Sequence, residues 1–362
     1  MNKLPYRELL IIAILLLIIG CRPQRAEIID TEKLSTLNYA QNLDITTDGK
    51  TSKIIIKEPY KGAYASVTFS SEQPVKRIVC TSTSQIGFLD LLDAQEVLAG
   101  YTTTDYISSL KVRQLIDSGR ILDIGRDIVI NIEKLLELKP DLVVAYSVTG
   151  DISQWEQLES FGIPVIFDAS HLEETPLAQA EWIKLFGALL GIPSKADSIF
   201  KVIESNYTIL FDKTATNTSR PTIICGSMYN GTWFMPGGKS WVASYINDAG
   251  GDYLWNELTE TGSVPLSFEV VFEHSHDADI WIGATIFNNI SSIETADDRY
   301  ASFKSVAEKR IFTPVKRLNG LGGNDYYEMG IARPDLVLAD FIKILQPDLL
   351  DDDELYFYKK LE

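Results

Sequence analysis

The chain has 362 residues, with 33 Lys and Arg against 50 Asp and Glu, a formal charge of −17. Hydrophobic residues at 45% and charged residues at 23% are those of a folded globular chain, of about two domains at this length, and exclude wholesale disorder. So acidic a chain repels phosphate, which excludes nucleic acid as a partner and a bare anionic bilayer as a docking surface.

At the N-terminus, Lys3 and Arg7 lead into an apolar run over residues 9–19. That run is too short to span a bilayer, which takes about 20 residues, and has the length of a signal-peptide core. Ile18-Ile19-Gly20-Cys21 follows and resembles the lipobox of bacterial lipoprotein precursors, in which the Cys takes a diacylglycerol and becomes the new N-terminus. Residues 1–20 therefore read as a signal peptide. Cys21 reads as the lipid anchor of a protein facing the periplasm, in the inner or outer membrane. Cys80 and Cys225 sit in β-branched runs and read as small buried hydrophobes.

Residues 21–74 read as a tether ending in a small β-hairpin, Lys53-Ile54-Ile55-Ile56-Lys57 and Ala65-Ser66-Val67-Thr68-Phe69 around Pro59-Tyr60-Lys61-Gly62. A strand at 78–80, a hydroxyl-rich loop at 81–84 and a helix at 86–92 come next. Strands at 97–101, 122–124, 142–145 and 165–167 then alternate with helices at 132–138 and 153–161. Such alternation predicts a parallel sheet with helices on its faces, an N-terminal lobe over 75–175. From 176 to 213, Leu177, Ala180, Ile183, Phe186 and Leu190 recur at helical spacing. Gly191-Ile192-Pro193 interrupts this run, and a second helix follows over 195–211. A second alternating series fills 214–362: strands at 222–225 and 280–283, and helices at 240–249, 268–273, 300–309 and 334–345. The predicted fold is α/β, two Rossmann-like lobes joined by a long rigid helix, with a small N-terminal β-hairpin extension.

Each half carries the same acidic pattern. Asn131-Ile132-Glu133 and Ser267-Phe268-Glu269 both place a capping residue, an apolar residue and a Glu, with further acids four and eight positions on. A Glu in the first turn of a capped helix gains about 0.3–1 kcal/mol from the macrodipole, which accounts for both residues without function. The alternative is a pair of docking points for a partner offering two equivalent cationic sockets.

Residues 75–345 resemble the helical-hinge substrate-binding proteins of ABC importers for iron–siderophore complexes, haem and vitamin B12. The resemblance is carried by Arg77-Ile78-Val79, Val97-Leu98-Ala99-Gly100-Tyr101 and Ile132-Glu133-Lys134-Leu135-Leu136-Glu137-Leu138-Lys139-Pro140-Asp141, and continues through Leu266-Ser267-Phe268-Glu269. It implies that Glu133 and Glu269 engage arginines of a permease dimer. The second motif has His276 where Pro is usual. The N-terminal hairpin, Asn324-Asp325-Tyr326-Tyr327-Glu328 and Arg333-Pro334-Asp335 lie outside the general signature and resemble extensions of the Bacteroidetes members. The resemblance also implies a monomer with no cofactor of its own, any metal arriving inside the bound chelate.

Ligands of two-lobed α/β proteins sit at the carboxyl ends of the strands, in the crevice between lobes. The loops there supply the expected ligand-binding residues Thr83, Tyr106, Arg126, Tyr146, Tyr229, Trp233, Lys239 and Trp241. Rings with polar edges suit a broad metal-chelating organic ligand, and the two cations suit its oxygens or are surface charges. Two other binding or surface roles compete. His274 and His276, with Asp277 and Asp279 nearby, would offer ligands to a bare transition-metal ion, which wants three or four convergent donors. A surface lipoprotein would bind no solute. Catalysis finds no support, since the chain has no Gly-x-Ser-x-Gly elbow, no phosphate loop and no Cys-x-x-Cys pair.

Overall fold

Two parallel sheets organise the chain. The computed structural model describes residues 37–47, 51–57, 64–70, 72–126, 129–147, 151–215, 217–284, 287, 289–352 and 354–362. All belong to the unit Ser35–Glu362. The signal peptide, Cys21 and the Pro59–Gly62 turn lie outside the described residues.

In the first lobe five parallel strands run in the order Val165–Phe167, Leu142–Ala145, Ile78–Cys80, Leu98–Tyr101, Leu122–Asp123. Every residue of Ile78–Cys80 and Leu142–Ala145 is buried, as expected of central strands covered on both faces, and this explains their unbroken β-branched runs. The limits of 142–145, 165–167 and 222–225, and of helices 132–138 and 334–345, are those predicted.

The N-terminal extension differs from the expected hairpin. It is a three-stranded antiparallel sheet, Leu43–Thr47, Thr51–Lys57 and Tyr64–Ser70. Leu43, Ile45, Ile54 and Ile56 are buried in one cluster with Phe88, Leu142 and Trp182, so the sheet shares the first lobe's core. Two buried carboxylates clamp the chain before it. Glu181 accepts the amides of Asn38, Tyr39 and Ala40 at 2.8–3.1 Å, and Glu173 those of Gln41 and Asn42 at 2.9 and 3.0 Å.

The connection between lobes is helical but is built of three segments rather than one rod: Pro176–Glu181, Ile183–Leu189 and Pro193–Thr214. Trp182, fully buried, separates the first two and donates Nε1 to Glu173 at 3.0 Å. Gly191, at φ 71°, ends the second in the left-handed conformation that glycine adopts most readily.

The second sheet has the order Asp252–Tyr253, Thr222–Cys225, Ile280–Ile282, Ile311–Thr313, all parallel, with Lys359–Lys360 antiparallel at the edge. Asp340 holds this last strand in place. Its oxygens accept the amides of Tyr356, Phe357 and Tyr358 at 2.6, 2.7 and 3.0 Å. A small antiparallel sheet, Ser227–Tyr229, Thr232–Pro236 and Ser263–Leu266, follows the strand Thr222–Cys225. The helix predicted over 300–309 is instead a 3-10 turn, Asp298–Ser302, and a short helix, Lys304–Ala307. Between them Phe303 turns into the core to join Trp233, Trp281 and Tyr300.

Candidate functional site

A cavity of about 470 Å³ opens at the carboxyl ends of the second-lobe strands, bounded by Cys225, Gly226, Ile282 and Gly283. The chain leaves Thr222–Cys225 through Gly226 at φ 74°, where a Cβ would stand 2.1 Å from the Phe234 carbonyl oxygen. Only glycine fits there. The small sheet can therefore fold back over the strand ends, bringing Tyr229 and Phe234 to the cavity.

The remaining walls are aromatic. Trp241 begins the helix Trp241–Asp248, whose N-cap Ser240 accepts the Ala243 amide at 3.2 Å. Its ring lies 6.1 Å from that of Tyr326, which is 5.2 Å from Tyr327 and 5.4 Å from Tyr358. Tyr358 Oη donates to Tyr326 Oη at 3.2 Å. Burial pushes the phenols of Tyr326, Tyr327 and Tyr358 up, so they stay protonated at neutral pH. Among the described residues that line it, none carries a charged side chain. The cavity presents rings and hydroxyls to whatever enters it.

On the first lobe, strand ends carry hydroxyl and amide groups. Thr81 Oγ1 accepts the Tyr146 amide at 2.8 Å, and Gln85 Oε1 accepts the amides of Thr81 and Ser82. Gln85 Nε2 donates to Asp168 at 3.1 Å. Tyr146 packs edge-on against His171, ring centroids 4.6 Å apart, and burial holds that imidazole below its ordinary pKa. Thr83 Oγ1 donates to the Tyr327 carbonyl at 3.0 Å, so the first lobe touches the cavity wall.

Of the residues predicted from sequence, Tyr229 and Trp241 line the cavity and Thr83 reaches its wall. Tyr106, Arg126, Tyr146 and Lys239 are not among the lining residues. Arg126 and Lys239 are exposed. Trp233 is a correction. It is fully buried, stacked on Trp281 at 5.3 Å, with Nε1 donating to the Cys225 carbonyl at 2.9 Å. The strand Thr232–Pro236 alternates, so Trp233 and Met235 face the core while Phe234 faces out. Sequence reasoning missed Tyr326 and Tyr327, which come from a segment read only as lying outside the general signature, and Tyr358, near the C-terminal edge strand, on which no reading fell.

Glu133 and Glu269 both occupy the first turn of capped helices: Asn131 accepts the Lys134 amide at 2.9 Å and Ser267 the Val270 amide at 3.3 Å. Helices that cross back between parallel strands start at the sheet's carboxyl edge, the edge on which the cavity opens. Both side chains are exposed. Glu269 has an ion-pair partner, Arg299 Nη1 at 3.1 Å, whose guanidinium also grips Asp297 and lies 4.0 Å over the Phe268 ring.

The histidine pair is committed to local bonds. His274 Nε2 donates to the Leu254 carbonyl at 2.7 Å, and His276 Nδ1 to that of Phe272 at 3.0 Å. Among the described residues no group of three or more His, Cys, Asp or Glu is arranged to hold a metal ion.

Two α/β lobes, a helical connection and an aromatic cavity at the strand ends define a bilobal solute-binding protein. The chain belongs to the periplasmic binding protein family, whose model matches residues 78–317. An uncharacterized lipoprotein of Methanocaldococcus jannaschii is 26% identical over 296 residues, 79% of this chain and 69% of that protein. A vitamin B12-binding protein of Vibrio parahaemolyticus is 22% identical over 194 residues, 53% of this chain and 65% of that one. The solved structure of a periplasmic haem-binding protein from Pseudomonas aeruginosa matches with a TM-score of 0.57 at 18% identity, over 75% of this chain and 93% of that one. The family and the structural neighbours are binding proteins rather than enzymes.

Proposed function

We propose that this protein is a lipid-anchored, periplasmic substrate-binding protein that captures a metal chelate and delivers it to the permease dimer of an ABC importer, without chemistry of its own. The observation that carries the reading is the cavity at the second-lobe strand ends, wide, aromatic and free of charged side chains. Haem propionates and catecholate siderophores are anionic and call for cations on the wall. A cobamide offers a broad neutral face with amide edges, which rings and hydroxyls suit. Among siderophore, haem and cobamide, the lining therefore favours the cobamide. Cys21 carries the anchor, and Glu133 with Glu269 seats the loaded protein on the permease.

The test is a tryptophan fluorescence titration with cyanocobalamin, haemin and a ferric tris-catecholate. Quenching that saturates with cyanocobalamin at the lowest concentration supports the reading. Tighter binding of either anionic chelate overturns the choice of ligand, and no binding by any of the three overturns the function. In cells, the double variant Glu133→Ala, Glu269→Ala is expected to keep its affinity for ligand and lose uptake.

A further inference from the structure

The segment 317–333 begins in the second lobe and ends against the first. At its start, Arg317 Nε pairs with Asp325 at 2.5 Å, and Tyr326 is buried in the second-lobe core. Besides the Thr83 bond to the Tyr327 carbonyl, three attachments to the first lobe follow from this one stretch. Asn319 Nδ2 donates to the carbonyls of Asp105 and Ile107, both at 2.9 Å. Glu328, 1% exposed, accepts the Ser108 amide on one oxygen at 2.7 Å and the Ser109 amide on the other at 2.8 Å. Ser109 is the N-cap of the helix Leu110–Asp117, so the carboxyl sits where that helix has donors to spare. Finally the helix Met329–Ala332 packs on Thr83–Leu91 at Gly87, where a Cβ would stand 2.4 Å from the Glu328 carbonyl oxygen and 3.2 Å from Ala332 Cβ.

Tyr326 and Tyr327, two walls of the cavity, lie between these attachments. Tyr327 is tied to the first lobe through its carbonyl, by Thr83. Its ring packs edge-on against Tyr326, and Glu328 is the next residue along the chain. A buried carboxyl bonding two backbone amides of the opposite lobe fixes that residue more firmly than a single hydroxyl.

We propose that Glu328 is a positioning residue for the cavity: by gripping the Ser108 and Ser109 amides it fixes the Tyr326–Tyr327 wall between the lobes, and thereby sets ligand affinity without touching ligand. This rests on the aromatic cavity being the ligand site. A second consequence is that the lobes do not swing apart on the Tyr326–Tyr327 side. The segment 317–333 is thus a strap between the lobes.

The experiment uses the full soluble chain, its Glu328→Ala and Glu328→Gln variants, and hydrogen exchange with cyanocobalamin titration. Glu328→Ala is expected to raise exchange about tenfold at the Ser108 and Ser109 amides and also at Tyr326, Tyr327 and Glu328, whose own amides bond within the strap. Affinity for cyanocobalamin should fall by a similar factor. Glu328→Gln keeps the volume and one of the two acceptors, its NH2 facing the other serine amide donor to donor, and should raise exchange and weaken binding less than Glu328→Ala does, a graded response that a residue acting only on overall stability would not give site by site. Unchanged exchange at 326–328 in Glu328→Ala overturns the proposal, as does full affinity with the amides released. Should the alanine variant not fold, Glu328→Gln carries the test alone, and wild-type exchange throughout the strap with weakened binding refutes it. A wild-type protein that binds no probe defeats the ligand reading, while exchange at 326–328 still decides whether Glu328 holds the wall.

Discussion

Glu181 offers a direct measure of how the chain's N-terminal segment is tied to the connecting helices. Its side chain is fully buried, and besides the amides of Asn38, Tyr39 and Ala40 it pairs with Lys184 Nζ at 2.9 Å. Glu181→Ala leaves Lys184, a side chain only 9% exposed, with Asp197 at 3.5 Å and the Phe200 ring at 4.8 Å as substitutes. Removing one member of a buried pair costs about 3–5 kcal/mol, because the other charge loses its nearest counter-charge. The three freed amides add to this, at about 1 kcal/mol each or less, since a chain end relaxes toward water. A loss of about 4–6 kcal/mol is expected, a large part of the 5–15 kcal/mol that ordinarily stabilises a domain. Urea unfolding followed by circular dichroism measures it as a shift in midpoint. Lys184→Met on the Glu181→Ala background should recover part of the loss, since a buried ammonium that has lost its nearest carboxylate is replaced by an apolar side chain. A single-variant loss below about 1 kcal/mol, or no recovery in the double variant, refutes the reasoning.

Two further outcomes follow from the site. Burial pushes the Glu328 carboxyl from its ordinary 4.5 up to about 8, against the pull of its two amide donors. The native state then holds a proton there that the unfolded chain has released. Glu328 thus contributes stability in full below pH 4.5, and this is lost as pH rises through 8. The ceiling is about 5 kcal/mol at 1.36 kcal/mol per unit. Urea midpoints between pH 5 and 9 should fall less steeply for Glu328→Gln than for the wild type, and parallel slopes contradict this. Trp233→Ala and Trp241→Ala should separate core from cavity. The first should cost about 3–5 kcal/mol of stability, whereas the second should weaken cyanocobalamin binding with little change in the urea midpoint.

Much of the architecture was legible because its signals are local. Strands such as Leu142–Ala145 and Thr222–Cys225 are short β-branched runs between turns, and the helices of Glu133 and Glu269 announce themselves by their caps. Leu43–Thr47 was not legible. Two apolar residues at alternate positions are too few to mark a strand, and it exists because Ile54–Ile56 and the first-lobe core cover it. Lys359–Lys360 carries no strand pattern at all, being held through Asp340 and the neighbouring Phe312 and Thr313. The cavity was half legible. Tyr229 and Trp241 follow strands or open helices where the fold class puts a ligand. Tyr326, Tyr327 and Tyr358 arrive by long-range packing, which no spacing rule reports. Trp233 failed for a different reason. Trp233 lies in a strand of only five residues, Thr232–Pro236, whose two-residue alternation turns it inward, rather than in a loop at the strand ends.

The region that marks the family, 78–317, is smaller than the body that folds. Trimming the gene to that region would strip Leu43, Ile54 and Ile56 from one core and Phe357, Tyr358 and Leu361 from the other, baring greasy surface on both halves. Such a fragment would aggregate when expressed. A workable recombinant version keeps everything from the clamp at Asn38 through the edge strand and the buried Leu361 that follows it.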